Sequence, residues 1–253
     1  MNLLYRLPTP VIFAHRGASG HAPENTIASF KLAEDSNAPA VELDVKLTLD
    51  GEVVVIHDPN TQRTTGVNRW VNQANYAELK ELDAGSFFAE QFRGEKIPLL
   101  SDVFETLGDR ILINIELTNY NSPHDSLVEK TIYEVVRYGM QENILFSSFS
   151  PINLLKAQRL LPEVPVGLLA PEGKDGWWTR SMMARWFFPL IIHPYFSEAT
   201  HKYIQREHKR NRRVHTWTVN QEQDLRTLFN NKVDGVFIDE PILARQILEA
   251  GCG

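Results

Sequence analysis

Short apolar runs, many rich in valine and isoleucine, alternate along the chain with longer stretches in which apolar residues return every three or four positions. The runs Val11–Ala14, Val41–Leu47, Ile111–Leu117, Ile144–Phe149, Val164–Leu169, Leu190–His193, Val214–Val219 and Val236–Ile238 predict eight strands. The stretches Asn25–Asp35, Ser101–Leu107, Ser126–Met140, Pro151–Leu160, Thr200–Arg210, Gln221–Asn230 and, after the eighth run, Pro241–Ala250 predict helices. Asn25 before Thr26, Ser150 before Pro151 and Asn220 before Gln221 mark helix starts, where a polar side chain accepts from free backbone N–H groups or a proline opens the first turn. Strands that are apolar almost throughout need cover on both faces, which a parallel sheet under helices provides, and eight of them predict a closed barrel. The expected fold is α/β: a (β/α)8 TIM barrel forming one domain over residues 1–253.

One region breaks the alternation. After the second run comes "LDGEVVVIHDPN", which predicts a turn at Asp50–Gly51 and a strand returning beside the second. "TQRTTGVNRW" and the Gly/Phe-rich "DAGSFFAEQFRG" follow. A structureless loop of this length would be unusual in a compact domain. Its apolar and aromatic content predicts instead a small folded insertion at about 51–100, packed over one end of the barrel.

Composition narrows the function. A net charge of −6 leaves no basic excess to neutralise a nucleic-acid backbone. The one cysteine, Cys252, allows neither an intrachain disulfide nor a cysteine zinc site. No apolar run approaches the roughly 18 residues of a membrane span. The N-terminal "MNLLYRLPTP" does not resemble a signal peptide, so the protein is expected to be cytoplasmic, with no stable membrane insertion. Its oligomeric state is left open.

Polar residues at the C-terminal ends of barrel strands face a shared mouth. The first strand ends in His15 and Arg16, and the sixth ends at His193. The seventh offers Trp217. The second carries Glu42 and Asp44 within "AVELDVKL", two residues apart and so on one face; the third carries Glu116 within "ILINIELT". Three carboxylates converging on one mouth repel each other unless Arg or Lys pairs them or a hard divalent cation takes them as oxygen ligands. His57 ends the returning arm of the hairpin and falls near the same mouth as His15. Two histidines beside a metal suit acid and base roles near neutral pH. His21, His124, His201 and His208 are expected to be ordinary surface or structural residues.

The ordered set "AHRG", "PENT", "VELDVKLTLDG", "HD", "RTT", "NIEL", "SSF", "WTVN" and "DGVFIDEP" resembles the glycerophosphodiester phosphodiesterases over nearly the whole chain, Val11 to Pro241. The resemblance implies that His15 and His57 are the acid/base pair. It implies that Glu42, Asp44 and Glu116 bind one divalent cation, Mg2+ or Ca2+, and that Arg16 meets the phosphate. Glu24 and Asn25 are expected to order the loop after the first strand, and Trp217 to wall the pocket. The implied reaction is metal-dependent hydrolysis of a glycerophosphodiester to glycerol 3-phosphate and an alcohol. One position departs from the family, which has lysine where this chain has Thr118. Thr118 shares the face of Glu116 and is expected, with His193, to contact substrate without the lysine's charge. Two rival readings remain. One is a lysophospholipase D, favoured by a wide mouth built from Phe87, Phe88, Phe92, Trp177, Trp178 and Trp186. The other is a non-catalytic binding barrel.

Overall fold

The computed structural model describes residues 1–174, 176 and 190–251. Strand β1 (Val11–Ala14) pairs in parallel with β2 (Ala40–Leu47) on one side and with β9 (Gly235–Ile238) on the other. Those two pairings close the sheet. Between them run β4 (Leu112–Leu117), β5 (Ile144–Ser148), β6 (Val166–Ala170), β7 (Ile191–Pro194) and β8 (Arg213–Thr216), each parallel to its neighbour. The result is the eight-stranded parallel barrel that the sequence predicts. The helices are α1 (Ile27–Asp35), the short α2 (Gln62–Thr65) and α3 (Tyr76–Leu79), α4 (Leu100–Leu107), α5 (Leu127–Arg137), α6 (Pro151–Leu160), α7 (His201–His208), α8 (Glu222–Asn230) and α9 (Pro241–Glu249).

The two faces of each barrel strand bury different things. On β2 and β4 the residues Val41, Leu43, Val45, Ile113, Ile115 and Leu117 pack outward with Phe30, Val103, Phe104 and Leu127 of the helices. The alternate residues of β4 face inward and change character along the strand. Leu112 lies in an apolar cluster with Val11, Phe13, Leu145 and Ile191, which Leu4 of the N-terminal turn joins. Asn114 and Glu116, further along, line a polar pocket. Emptying the apolar end by Leu112→Ala costs about 2–5 kcal/mol, the usual range for a fully buried leucine.

Past the barrel rim β2 pairs antiparallel with β3 (Val53–Val55), with Val45 opposite Val55 and Leu47 opposite Val53. This is the predicted hairpin. The segment that follows has its own apolar cluster, Val54, Ile56, Val71, Ala74, Leu79, Ala84 and Ile97.

Two helix starts differ from expectation. The N-cap of α1 is Thr26, which accepts from Ser29 N, and that of α8 is Gln221. Asn25 and Asn220 each turn their side chains to a strand-end carboxylate instead, at Asp44 and Asp239. A charged acceptor makes the stronger hydrogen bond.

Candidate active site

Six of the sequence-predicted residues line one pocket of about 110 Å³: His15, Arg16, Glu42, His57, Glu116 and Trp217. Asp44 joins them through the acidic cluster. One oxygen each of Glu42, Asp44 and Glu116 can be chosen so that all lie within 4.8 Å of one another. Strand register brings this about, since Asp44 sits opposite Glu116 and Glu42 is two residues before it.

Glu42 and Asp44 are almost wholly buried, and Glu116 is partly buried. Burial, then repulsion from Asp44 and Glu116, raises the Glu42 carboxyl well above its ordinary value. Burial, then repulsion from Asp44, pushes Glu116 up to about 8. Burial opposes ionisation of Asp44 too, but Arg16, His57 and the Asn25 amide hold it low. Asp44 Oδ1 is buried with no hydrogen-bond partner, an orphaned acceptor at the centre of the cluster. An all-oxygen donor set with excess negative charge and an unused lone pair fits a hard divalent cation.

The loop after β1 braces the cluster. Arg16 and Gly17 both have positive φ, 55° and 80°, and turn the chain back. That turn delivers Arg16 N to Glu42 Oε2 at 2.9 Å. A side chain at Gly17 would meet Ser29 Oγ at 2.4 Å, so glycine is needed there. Asn25 Nδ2 donates to Asp44 Oδ2 at 2.9 Å. Arg16 Nη1 donates to Glu24 Oε1, and Arg16 Nε lies 3.4 Å from Asp44 Oδ2. Part of the guanidinium is therefore committed to carboxylates, while Nη2 has no hydrogen bond among the described residues.

Each histidine of the pocket has an aspartate behind it. His15 Nδ1 lies 2.7 Å from Asp239 Oδ1, and its Nε2 lies 4.0 Å from Glu42 Oε2. His57 Nδ1 lies 2.7 Å from Asp58 Oδ1. The two aspartates differ in company. Asp239 also accepts from the neutral groups Ser19 Oγ and Asn220 Nδ2. Asp58 accepts from Arg63 Nε, and Arg63 reaches on to both oxygens of Glu24. Burial works against ionisation of Asp58, but Arg63 and His57 bring it down to about 2. Arg63 belongs to α2, so this chain of ion pairs ties the segment after β3 to the loop after β1.

Two predicted contacts lie elsewhere. His193 is fully buried inside the barrel, stacked on His215 with ring centroids 5.1 Å apart and pressed against Gly167, and does not line the pocket. Burial lowers its imidazole to about 3. Its carbonyl does contribute, accepting the Trp217 indole N–H at 2.7 Å. Thr118 also lies outside the pocket. Its hydroxyl donates to Val45 O at 2.7 Å and accepts from Lys46 Nζ at 2.8 Å. An ammonium thus stands beside position 118 after all, supplied by the neighbouring strand.

Among the described residues, the aromatics at the mouth differ from those predicted. Phe149 and Phe237 line it with Trp217. Phe149 and Tyr195 each meet Trp217 edge-on, at 5.4 and 5.3 Å. Phe87 and Phe88 are half-exposed after β3, and Phe92 packs edge-on to Phe88; none lines the pocket. Trp177, Trp178, Trp186 and Cys252 lie outside the described residues. Two unanticipated residues act on the site. Tyr120 Oη donates to Glu116 Oε1 at 2.9 Å, and Asp239 holds His15. Asp239 could be found by the strand-end rule applied to "GVFIDEP"; Tyr120, on a loop, carries no such signal.

The chain resembles known proteins over most of its length. The family model described as the glycerophosphoryl diester phosphodiesterase family matches residues 15–243. A glycerophosphodiester phosphodiesterase of Caldanaerobacter subterraneus is 35% identical over 232 residues, covering 91% of this chain and 94% of that protein. A human lysophospholipase D is 30% identical over 274 residues, covering 93% of this chain and 85% of that protein. Among solved structures, an Oleispira antarctica phosphodiesterase in complex with the product sn-glycerol-3-phosphate superposes with a TM-score of 0.90 at 29% identity, covering 98% of this chain and all of that one. No helix among the described residues is long and apolar enough to cross a membrane. With its barrel, its acidic cluster and its paired histidines, the chain belongs to the glycerophosphoryl diester phosphodiesterase family.

Proposed function

We propose that Glu42, Asp44 and Glu116 hold one divalent cation, Mg2+ or Ca2+. Beside it, His15 and His57 hydrolyse a glycerophosphodiester to glycerol 3-phosphate and an alcohol. The observation that carries this reading is the shared pocket, in which two histidines and the acidic cluster face the same 110 Å³. The Oleispira protein's bound product, sn-glycerol-3-phosphate, supports the product assignment.

When bound, the cation supplies positive charge against the phosphate oxygens as negative charge grows on them. The residues supply the rest. With Nδ1 of each imidazole held by an aspartate, Nε2 is the atom left for substrate. One histidine takes the proton of the attacking hydroxyl or water, and the other gives a proton to the departing alcohol. Arg16 fixes Glu42 through its backbone N–H and directs its uncommitted guanidinium nitrogen to a phosphate oxygen. Trp217, anchored on the His193 carbonyl, walls the pocket. The segment at about 51–100 serves as an insertion within one domain and brings His57 to the site.

The test is release of glycerol 3-phosphate from glycerophosphocholine, with and without a chelator. Release that persists in chelator sinks the cation; no release from any glycerophosphodiester sinks the reading. The human lysophospholipase D relative favours a second reading, hydrolysis of lysophospholipids. Faster choline release from lysophosphatidylcholine than from glycerophosphocholine would establish it.

A further inference from the structure

Beside the catalytic pocket lies a second cavity, of about 200 Å³, that shares none of its lining residues. Its floor is Lys46 and Thr118. Each stands two residues beyond a carboxylate of the acidic cluster and on the same strand face, so the floor begins about 7 Å from the cluster. One wall, from the segment after β3, presents Trp70, Asn72 and Gln73; the loop after β4 presents Asn121.

The polar groups here are unspent. The side chains of Asn72, Gln73 and Asn121 make no hydrogen bond among the described residues. Lys46 Nζ uses two of its three donors, on Thr118 O at 3.0 Å and Thr118 Oγ1 at 2.8 Å. No carboxylate among the described residues lies within ion-pairing distance of it. The carboxylate that does border the cavity, Asp125, is bonded by neutral groups and keeps its charge. Its Oδ1 accepts from Asn119 Nδ2 and Leu127 N, and its Oδ2 accepts from Ser122 Oγ.

This inventory separates ligand classes. A quaternary ammonium neither donates nor accepts hydrogen bonds, so it would leave the three amides and the third Lys46 donor unmatched and stand beside a like charge, although Asp125 and the Trp70 ring would attract it. An apolar chain would strand three amides and an ammonium. A hydroxyl-rich molecule satisfies all of them, since each hydroxyl both donates and accepts. Building on the phosphodiesterase reading above, we infer that this cavity receives the departing alcohol of the diester and that this alcohol is a polyol. The phosphate stands at the acidic cluster, the Lys46 and amide groups bond the polyol hydroxyls, and the Trp70 ring covers its carbon face.

The experiment compares glycerophosphoinositol with glycerophosphocholine for wild type and for the double variant Asn72→Ala, Asn121→Ala. Both positions are exposed, and neither side chain holds the fold together. Sites built to bond hydroxyls discriminate strongly against analogues lacking them, so wild type is expected to favour the inositol diester about tenfold in kcat/KM. The double variant is expected to bring that ratio to about one. A ratio untouched by the variant overturns the inference and leaves the phosphodiesterase reading standing. If neither diester turns over, saturation-transfer NMR with myo-inositol and choline reads the cavity on its own. Transfer to inositol that the double variant abolishes upholds the polyol site, and its absence from wild type overturns it.

Discussion

His15 Nδ1 and Asp239 Oδ1 are 2.7 Å apart, although 224 residues separate them in sequence. The contact joins the ends of the first and last barrel strands. It fixes which ring nitrogen of His15 faces the pocket. Replacing the orienting partner of a functional histidine typically costs 10- to 100-fold. Asp239→Asn is therefore expected to lower kcat by about that factor, with KM little changed and the acid–base limbs of the pH–rate profile displaced. An unaltered pH profile with normal kcat would show that Asp239 serves stability alone.

Removing an imidazole is expected to cost more. His15→Ala and His57→Ala should each lower kcat by roughly 10²–10⁴-fold, the range for a positioned acid or base. Cation binding should survive in both. His124, outside the pocket, is the control, and His124→Ala should turn over normally. Near-normal turnover by either pocket variant means that residue has been given the wrong role.

The cation itself can be titrated calorimetrically. Wild type should bind one Mg2+ or Ca2+ per chain. Glu42→Ala and Glu116→Ala should bind it at least about tenfold more weakly, because each removes one carboxylate from a hard-cation site. Equal affinity in both variants would place the cation elsewhere.

Proton and cation should compete at Glu116. Burial and the nearby Asp44 raise its carboxyl from 4.5 to about 8. A carboxyl raised on folding favours the folded state below its unfolded value, and that contribution is lost as pH rises through its folded value. In chelator, the melting temperature should therefore fall between about pH 4.5 and 8. The gain in melting temperature on adding Ca2+ or Mg2+ should grow over the same window, since the proton must leave for the cation to bind. Scanning calorimetry at several pH values checks this; a cation effect that shrinks as pH rises would contradict it.

Thr118→Lys offers a test of what replaces the usual lysine. The new ammonium would stand beside Lys46 and remove the hydroxyl that bonds both Lys46 Nζ and Val45 O. Losing a buried hydrogen-bonding group costs about 1–3 kcal/mol. The single variant should be destabilised by about that amount and gain no activity on glycerophosphodiesters. Adding Lys46→Gln should recover part of the stability. A large gain in activity for Thr118→Lys alone would show that the charge from Lys46 is no substitute.

The barrel was legible because its strands are apolar and its helices periodic, and the acidic cluster because Glu42, Asp44 and Glu116 interrupt apolar runs. Alternation tells which side of a strand a residue faces, but not how far along the barrel it stands. Register and strand stagger settle that. His193 faces inward as its parity requires, yet stands against Gly167 instead of in the pocket. Thr118 shares the side of Glu116 but lies one step too far out. The helices start one residue beyond Asn25 and Asn220 for a different reason: each amide bonds a distant carboxylate, a partner that no local window contains.

Strand β2 places Glu42, Asp44 and Lys46 inward, alternating with Leu43, Val45 and Leu47. Two carboxylates of the cluster and the one ammonium of the second cavity thus hang on a single stretch of five residues. Exchanging one apolar residue for another of similar size at the intervening positions alters packing a little. Deleting one residue inverts everything beyond it. For this stretch, then, spelling is negotiable and length is not: a frame that slipped by one would turn its charges out against the helices and carry valine and leucine into the mouth.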